Sequence, residues 1–264
     1  MAGELVTYFG YGSLVNRDTR PPDEQAFPAR LYGWQRVWGH LSGRADASAG
    51  SRANDQQPTK PARDDASHPG HLKSDQIETD ATADKHRQGQ ASSARLGANN
   101  AESSQFLPCC SLTVRPLSEV DKHKQTIMPF IDGVVVTIPR ASLPVLDERE
   151  RGYDRIRVSR DAFNLPASCT ANDIFVYVSQ PVNRGFANED HPILQSYVDC
   201  VLAGYCAVFD QTGLQQFVDG TVGWHGTIIN DRLDPHYPRA VKLAREQLDQ
   251  FDKLIQARRL IPEQ

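Results

Sequence analysis

The sequence predicts an α+β protein in which strands come first and helices follow. Two observations favour this class: runs rich in β-branched residues up to about residue 179, and apolar residues recurring at spacings of three and four after residue 190. A length of 264 residues allows one large domain or two small ones. Predicted strands lie on both sides of a polar segment, so we expect a single domain, residues 1–264, interrupted at a hairpin.

Six stretches have the pattern of strands. The stretch FIDGVVVTIP, residues 130–139, is a continuous run with many β-branched residues, which is typical of a strand buried on both faces. The stretch YDRIRVSRD, residues 153–161, alternates apolar and charged residues, so one of its faces is polar. The remaining predicted strands lie in residues 4–13, 29–40, 109–116 and 173–179.

Two amphipathic helices are predicted after the strands. The first is expected to have Pro192 at its first position, a site that proline favours, with its apolar stripe running from Leu194 to Tyr205. The second occupies residues 238–255, where Val241, Ala244 and Leu248 begin a similar stripe. Each helix therefore has one face to pack against the rest of the protein.

Residues 45–105 differ sharply in composition from the rest of the chain. Their only large aliphatic residues are Leu72, Ile77 and Leu96, and they contain no aromatic residue. Such a segment buries too little apolar surface to offset the entropy lost on ordering. We expect a disordered insertion.

The overall composition predicts a cytoplasmic protein. A net charge of -4 gives no strong attraction to nucleic acid or anionic membranes, and no apolar run approaches the roughly 18 residues that span a bilayer. The N-terminus lacks the features of a signal peptide. Five cysteines without a CxxC pair indicate reduced thiols. We expect neither a nucleic-acid nor a membrane partner, and the oligomeric state stays open.

The stretch YFGYGSL, residues 8–14, follows the first strand. Gly10 and Gly12 match a dinucleotide-binding fingerprint, but Val15 stands where its third glycine is required. The stretch also lacks the Gly-Lys-Ser/Thr of a Walker A loop and the G-x-S-x-G of a nucleophile elbow. Two interpretations remain: an ordinary turn that ends a strand, or a loop whose backbone N–H groups bind an anion.

The acidic stretch LPVLDERERGYDR, residues 143–155, contains one carboxylate on an apolar stripe. At about 100° per residue, Glu150 falls between Leu143 and Leu146 on a helix, whereas Glu148 falls on the opposite side. A carboxylate turned into a core or cleft loses solvation, which raises its pKa toward the range useful for proton transfer. The alternative is a structural glutamate satisfied by Arg155 or by a backbone amide.

The histidines and the segment before the last helix are less informative. The histidines form no HExxH or HxH pattern, so we expect no metal site. Residues 223–240 are dense in Trp, Asn, Asp and Arg. This segment could line a pocket, but we expect a structured loop that covers the core.

Three features in a fixed order resemble a known family. The stretch FGYGSL ends the first strand, LDERERGY follows the β-rich part, and Tyr197 precedes Gly204 by seven residues on a later helix. Together they resemble the γ-glutamylcyclotransferase-like superfamily, which includes γ-glutamylamino-acid cyclotransferases, glutathione-specific cyclotransferases and avirulence-induced-gene-like proteins. The resemblance implies a small, mixed, barrel-like sheet with flanking helices and covers nearly all of the chain outside the insertion.

The resemblance also implies site residues and a reaction. The catalytic glutamate of the family's R-E motif corresponds to Glu150, and loop amides hold the γ-glutamyl group. The α-amine of a γ-glutamyl amide attacks its own γ-carbonyl, which releases 5-oxoproline and an amine; Glu150 moves the proton, and no metal or organic cofactor takes part. The implied substrate-binding residues are Tyr8, Phe9, Gly10, Tyr11, Gly12, Ser13, Leu14 and Tyr197.

The substrate within this class stays open. The γ-glutamylamino-acid enzymes carry Ser-Asn where this chain has Ser13 and Leu14; glutathione-specific members carry Ser-Leu, as here, but have Gly-Gly-Tyr where this chain has Arg151-Gly152-Tyr153. Glutathione, a γ-glutamyl amino acid, a γ-glutamylamine and a protein-linked γ-glutamyl group are all candidates. A non-catalytic binding or interaction protein on the same fold is the alternative. A serine hydrolase using Ser13 lacks the elbow spacing and an identifiable histidine.

Overall fold

A computed structural model describes residues 4–21, 24–43, 107–118, 129–165, 167, 169–171 and 173–262. The predicted disordered insertion, residues 45–105, lies outside the described residues, and the single domain over residues 1–264 stays a prediction. The strands of the described residues are β1 (Leu5–Gly10), β2 (Gln25–Tyr32), β3 (Trp34–Leu41), β4 (Cys110–Pro116), β5 (Phe130–Pro139), β6 (Tyr153–Ser159), β7 (Phe163–Asn164), β8 (Asp173–Ser179), β9 (Ile193–Leu194), β10 (Thr221–Val222) and β11 (Ile228–Ile229). The helices are α1 (Leu143–Arg149), α2 (Gln195–Gly220) and α3 (Arg245–Arg259).

The strands form two mixed sheets. The first has the order β6-β8-β1-β5-β2-β7, and β5 lies antiparallel to both β1 and β2. Residues 131–136 of β5 are all buried, as expected for a strand covered on both faces. The second sheet has the order β10-β3-β4-β9-β11. Its β3 and β4 precede and follow residues 44–106 and are antiparallel neighbours, with Leu41 opposite Cys110.

The predicted α+β class is confirmed, with curled sheets and flanking helices. The prediction of one strand over residues 29–40 was wrong. Gly33 has a φ of 75°, which turns the chain between β2 and β3. Consequently β2 pairs with β5 in the first sheet, while β3 pairs with β4 in the second. One predicted strand is therefore the corner that connects the two sheets.

Both long helices differ from their predicted bounds. Pro192 is not helical, because Ile193 and Leu194 pair with β11 and the helix begins at Gln195. The helix α2 extends to Gly220, with a break at Asp210, whose φ is 58°. The last helix begins at Arg245 rather than at residue 238. The residues before it lie outside regular structure, which frees several of them to line the cavity described below.

One buried arginine connects several elements. Arg36 of β3 is 1% exposed, and its Nε donates to the carbonyl of Tyr11 at 3.0 Å. Its Nη2 donates to the carbonyl of Asp132 on β5 and to the hydroxyl of Tyr205 on α2, both at 2.6 Å. Its Nη1 lies 3.4 Å from the hydroxyl oxygen of Thr221. One side chain thus joins both sheets, α2 and the loop after β1.

The helix α2 lies directly against the loop that follows β1. The Asn16 side-chain amide donates to the carbonyl of Cys200 at 2.9 Å. A Cβ atom added to Gly204 would lie 2.6 Å from the backbone N of Asn16, so only glycine permits this approach. Two turns earlier on the same face of α2, the Tyr197 hydroxyl contacts Gly12. The spacing of Tyr197 and Gly204 therefore places both residues of α2 in contact with the loop after β1.

We predict that Gly204→Ala destabilises the protein, because its methyl group meets backbone atoms that cannot rotate away. The expected loss in the free energy of unfolding is about 1–3 kcal/mol, measured by urea denaturation. The matched control is Gly220→Ala, since a Cβ there meets nothing within 4 Å. Equal stability of the two variants would contradict the close contact between helix and loop.

Candidate active site

A cavity of about 440 Å³ opens where the loop after β1, the end of α1, the start of α2 and residues 237–239 meet. Its walls combine aromatic rings with polar and charged groups. The aromatic members are His40, Tyr153, Tyr197 and Tyr237, and the charged members are Glu148, Arg149, Glu150, Arg151 and Arg239. Small ligands commonly occupy cavities of about 300–1,000 Å³, so the volume suits a small molecule.

Glu150 is the first residue after α1. Its N–H still donates to the carbonyl of Leu146 at 3.0 Å, and its own carbonyl accepts from the N–H of Tyr153 at 2.8 Å. The Glu150 side chain is 16% exposed, whereas that of Glu148 is 72% exposed. The difference in orientation expected from helical angles is therefore present, although Glu150 has left the helix and its backbone is held by a turn.

The Glu150 carboxyl is desolvated and paired. Burial raises its pKa above the ordinary value, and the positive charges of Arg149 and Arg239 act in the opposite direction without cancelling this effect. Its closest cation is Arg149, with Nε 3.2 Å from Oε1. Arg155, considered from the sequence as a partner, instead pairs with Asp147 at 2.6 Å. A carboxyl with a raised pKa is a better proton acceptor and donor for a substrate amine than an ordinary exposed carboxylate.

Arg149 connects this carboxylate to the loop. Its Nη1 donates to the carbonyl of Thr19 at 2.7 Å, and its Nη2 donates to the hydroxyl of Ser13 at 3.3 Å. The guanidinium fork can make these contacts together because its donors have fixed directions. The position of Glu150 relative to the loop is thus set by one planar group.

Of the loop residues predicted to bind substrate, Ser13 lines the cavity and the other six are not among the lining residues of the described chain. Tyr8 is buried, with its hydroxyl donating to Glu24 at 3.2 Å, and Phe9 packs edge-on against Phe163. The remaining members support the turn through their backbone or their packing: Gly10 and Leu14 touch each other, Gly12 touches Tyr197, and the carbonyl of Tyr11 binds Arg36.

The turn leaves backbone donors beside the cavity. Within the described residues, the N–H groups of Gly12 and Ser13 donate to no protein acceptor. The neighbouring Tyr11 carbonyl is held in the core by Arg36 and lies 2.9 Å from the Tyr205 hydroxyl oxygen. The acceptor is thus turned into the core while donors remain available at the turn. Such groups can bind a negatively charged or polarised oxygen.

The aromatic wall keeps its hydroxyl groups neutral. Burial raises the pKa of both Tyr153 and Tyr197 well above the ordinary value. The Tyr153 hydroxyl lies 2.9 Å from the Ser111 hydroxyl and donates to the Leu112 carbonyl at 2.9 Å. Tyr197 packs edge-on against Tyr237, with ring centroids 5.0 Å apart. These rings provide apolar surface and neutral donors rather than charge.

Sequence reasoning placed Glu150, Ser13 and Tyr197 at one site, and all three line the cavity. It missed several other lining residues, among them His40, Arg149, Tyr153, Tyr237 and Arg239. Arg149 and Tyr153 lie within the acidic stretch of residues 143–155, so their closeness in sequence to Glu150 could have predicted their place in the cavity wall. The segment 223–240 both covers the core through the buried Trp224 and lines the cavity through residues 237–239.

Several solved structures are similar to this one, and three of them are described. A γ-glutamyl cyclotransferase shares 15% identity and a TM-score of 0.43, with the match covering 95% of this chain and 99% of that chain. YkqA from Bacillus subtilis shares 12% identity and a TM-score of 0.42, over 81% of this chain and 52% of that chain. A γ-glutamyl cyclotransferase specific to glutathione from yeast shares 14% identity and a TM-score of 0.33, over 97% of this chain and 100% of that chain.

No family model and no curated protein matches this chain. Since all three identities are below 25% and all three TM-scores are below 0.5, we base the function on the site itself. Fold and site define an α+β protein with a small, aromatic-walled cavity that contains the largely desolvated carboxyl of Glu150. Among the described residues, no helix is long and apolar enough to cross a membrane. No cluster of three metal-binding side chains occurs in that same part of the chain.

His40 provides a pH test of the cavity wall. Its ring stacks on Tyr153 at 3.9 Å between centroids, its Nδ1 lies 2.9 Å from the Ser179 hydroxyl, and burial lowers its pKa to about 4. The unfolded chain binds this proton near pH 6.5, so between pH 6.5 and 4 unfolding is favoured by proton uptake.

We predict that the free energy of unfolding falls by about 3 kcal/mol through His40 as the pH drops from 6.5 to 4. Urea unfolding at several pH values measures this dependence. A His40→Gln variant removes the titration, so its stability should change less with pH over the same window. If the free energy of unfolding changed with pH in the same way in both proteins, the conclusion that His40 is buried in its neutral form would be contradicted.

Proposed function

We propose that this protein is a γ-glutamylcyclotransferase, an enzyme that converts a γ-glutamyl amide into 5-oxoproline and a free amine. The observation that carries the proposal is Glu150, a largely desolvated carboxyl, 16% exposed, with a raised pKa beside Arg149 in a cavity of small-molecule size. The free N–H groups of Gly12 and Ser13 support it, because they lie in the turn that Arg149 joins to this carboxyl.

The proposed reaction needs one proton carrier and no water. The α-ammonium of the substrate first loses one proton to the solvent. The free amine nitrogen then forms a bond to its own γ-carbon as Glu150 removes a second proton from that nitrogen. The bond from the γ-carbon to the leaving nitrogen then breaks, and Glu150 returns the proton to this nitrogen. One carbon–nitrogen bond is formed and one is broken within the substrate, and the carboxylate of Glu150 is restored.

The loop and the aromatic wall would supply the remaining requirements. A cavity that holds the γ-glutamyl chain folded brings amine and carbonyl together, which removes much of the entropy cost of cyclisation. The N–H groups of Gly12 and Ser13 are candidates to stabilise the oxygen of the tetrahedral intermediate, since they have no protein acceptor among the described residues. Buried Tyr197, which touches Gly12, would hold this turn in place.

A serine hydrolase is less well supported by the contacts. The Ser13 hydroxyl accepts from Arg149, and within the described residues no histidine lies within hydrogen-bonding distance of it. His40, the histidine that lines the cavity, bonds to Ser179. A non-catalytic binding protein on the same fold is the second candidate, and loss of product formation in the tests below would favour it.

We predict that Glu150→Gln lowers the rate of 5-oxoproline release at least about 100-fold, because the amide cannot carry the proton. Release from a panel of γ-glutamyl compounds is measured by mass spectrometry. Glu148→Gln is the matched control: this carboxylate is 72% exposed and pairs with Arg151, so its loss should change the rate little. Full activity of Glu150→Gln would overturn the assignment.

We predict that Arg149→Gln moves the acid limb of the kcat/KM profile to higher pH. Arg149 favours the ionised form of Glu150, so without its charge the pKa of Glu150 rises further and the base is lost at a higher pH. Arg155→Gln is the control, because Arg155 pairs with Asp147. An unshifted acid limb in Arg149→Gln would show that Glu150 does not set this limb.

A further inference from the structure

The charged side chains that line the cavity do not balance. Arg149 pairs with Glu150 at 3.2 Å, and Arg151 pairs with Glu148 at 3.0 Å. The third arginine of the lining, Arg239, has no carboxylate within 4 Å among the described residues. Three arginines and two glutamates leave a surplus of one positive charge, and this surplus is located at Arg239.

The segment that carries Arg239 is anchored to α2 and α3 at its start. Asp231 accepts from the backbone N and the hydroxyl of Ser196 at 2.7 and 2.6 Å. Arg232 makes two hydrogen bonds with Asp199 on α2 and two with Asp252 on α3, all between 2.7 and 2.9 Å. Nearer to Arg239, the backbone N of Tyr237 donates to the Ser196 hydroxyl at 3.3 Å. The backbone two residues before Arg239 is therefore held against α2, although the side chain of Arg239 is exposed.

The surplus charge matches one class of substrate. A γ-glutamyl group carries one ammonium and one α-carboxylate, so it is neutral as a whole at pH 7. A leaving group that is an amino acid or peptide adds one further carboxylate, whereas a leaving amine adds none. A cavity with one unpaired arginine is therefore complementary to the first kind of substrate and not to the second.

We propose that Arg239 is a specificity-determining residue that binds the carboxylate of the leaving amino acid or peptide. This inference rests on the proposed cyclotransferase function and narrows its substrates to γ-glutamyl amino acids and peptides over γ-glutamylamines. Arg239 could instead bind the α-carboxylate of the γ-glutamyl group. The two assignments make different predictions: every γ-glutamyl compound has an α-carboxylate, whereas only some have a carboxylate on the leaving group.

The test compares γ-glutamylalanine with γ-glutamylalaninamide, which has nearly the same shape but no carboxylate on the leaving group. For the wild-type enzyme, kcat/KM for 5-oxoproline release should be about tenfold higher with the acid, the size of one charge-assisted hydrogen bond in a partly exposed site. In Arg239→Gln this ratio should approach one, through loss of activity on the acid. Because the charge of Arg239 also lowers the pKa of Glu150, both compounds are compared at a pH on the plateau of the kcat/KM profile of each protein, where Glu150 is ionised. Arg239→Lys should keep part of the preference.

The control is Arg151→Gln, which removes one positive charge from the cavity rim but takes it from a pair with exposed Glu148. Its ratio should stay close to the wild-type value. A wild-type ratio near one, or an unchanged ratio in Arg239→Gln, overturns the proposal. Equal losses on both compounds would do the same, because they assign Arg239 to the α-carboxylate.

Failure of the proposed function has a different result. If the wild-type protein cyclises neither compound, the cyclotransferase assignment fails, and the same four proteins are compared by calorimetric binding of the two compounds. Tighter binding of the acid that is lost in Arg239→Gln then supports the carboxylate site on its own. Absence of binding, or equal binding of acid and amide, overturns it.

Discussion

The structure depends on the burial of Arg36. Its guanidinium is held by backbone carbonyls and hydroxyls, and burial lowers its pKa. Among the described residues no carboxylate forms an ion pair with it. Because a buried charge is costly unless all its donors are used, each partner is held in a fixed direction. One partner is the Tyr11 carbonyl, so the same interaction that joins the two sheets also sets the conformation of the loop after β1.

That loop is the common support of the candidate site. From the core side it is held by Arg36, and from the helix side by the contact of Gly204 with Asn16. From the cavity side, Arg149 binds the hydroxyl of Ser13 while pairing with Glu150. The Glu150 carboxyl and the free loop amides are therefore positioned by one connected set of contacts. Rigid support of this kind is what a proton-transfer site requires.

The sequence predicted those features that depend on local pattern. The strand at residues 130–139 followed from its apolar run, and the inward orientation of Glu150 followed from its spacing to Leu143 and Leu146. Features set by distant partners escaped prediction. The turn at Gly33 separates β2, which pairs with β5 in the first sheet, from β3, which pairs with β4 in the second. The late start of α2 depends on the pairing of Ile193 with β11. Arg239 lies where the loop predicted over residues 223–240 overlaps the helix predicted over residues 238–255, and neither expectation placed its side chain in the cavity.

The central claim is that the substrate's own amine, not water, attacks the γ-carbonyl. Incubating the protein with γ-glutamyl compounds in ¹⁸O-labelled water, followed by mass spectrometry of the products, tests it most directly. Intramolecular attack predicts 5-oxoproline without ¹⁸O, because no solvent oxygen enters the ring. Glutamate labelled with ¹⁸O would reveal hydrolysis and contradict the proposed function. Unchanged substrate across the panel would contradict it as well and favour a binding protein.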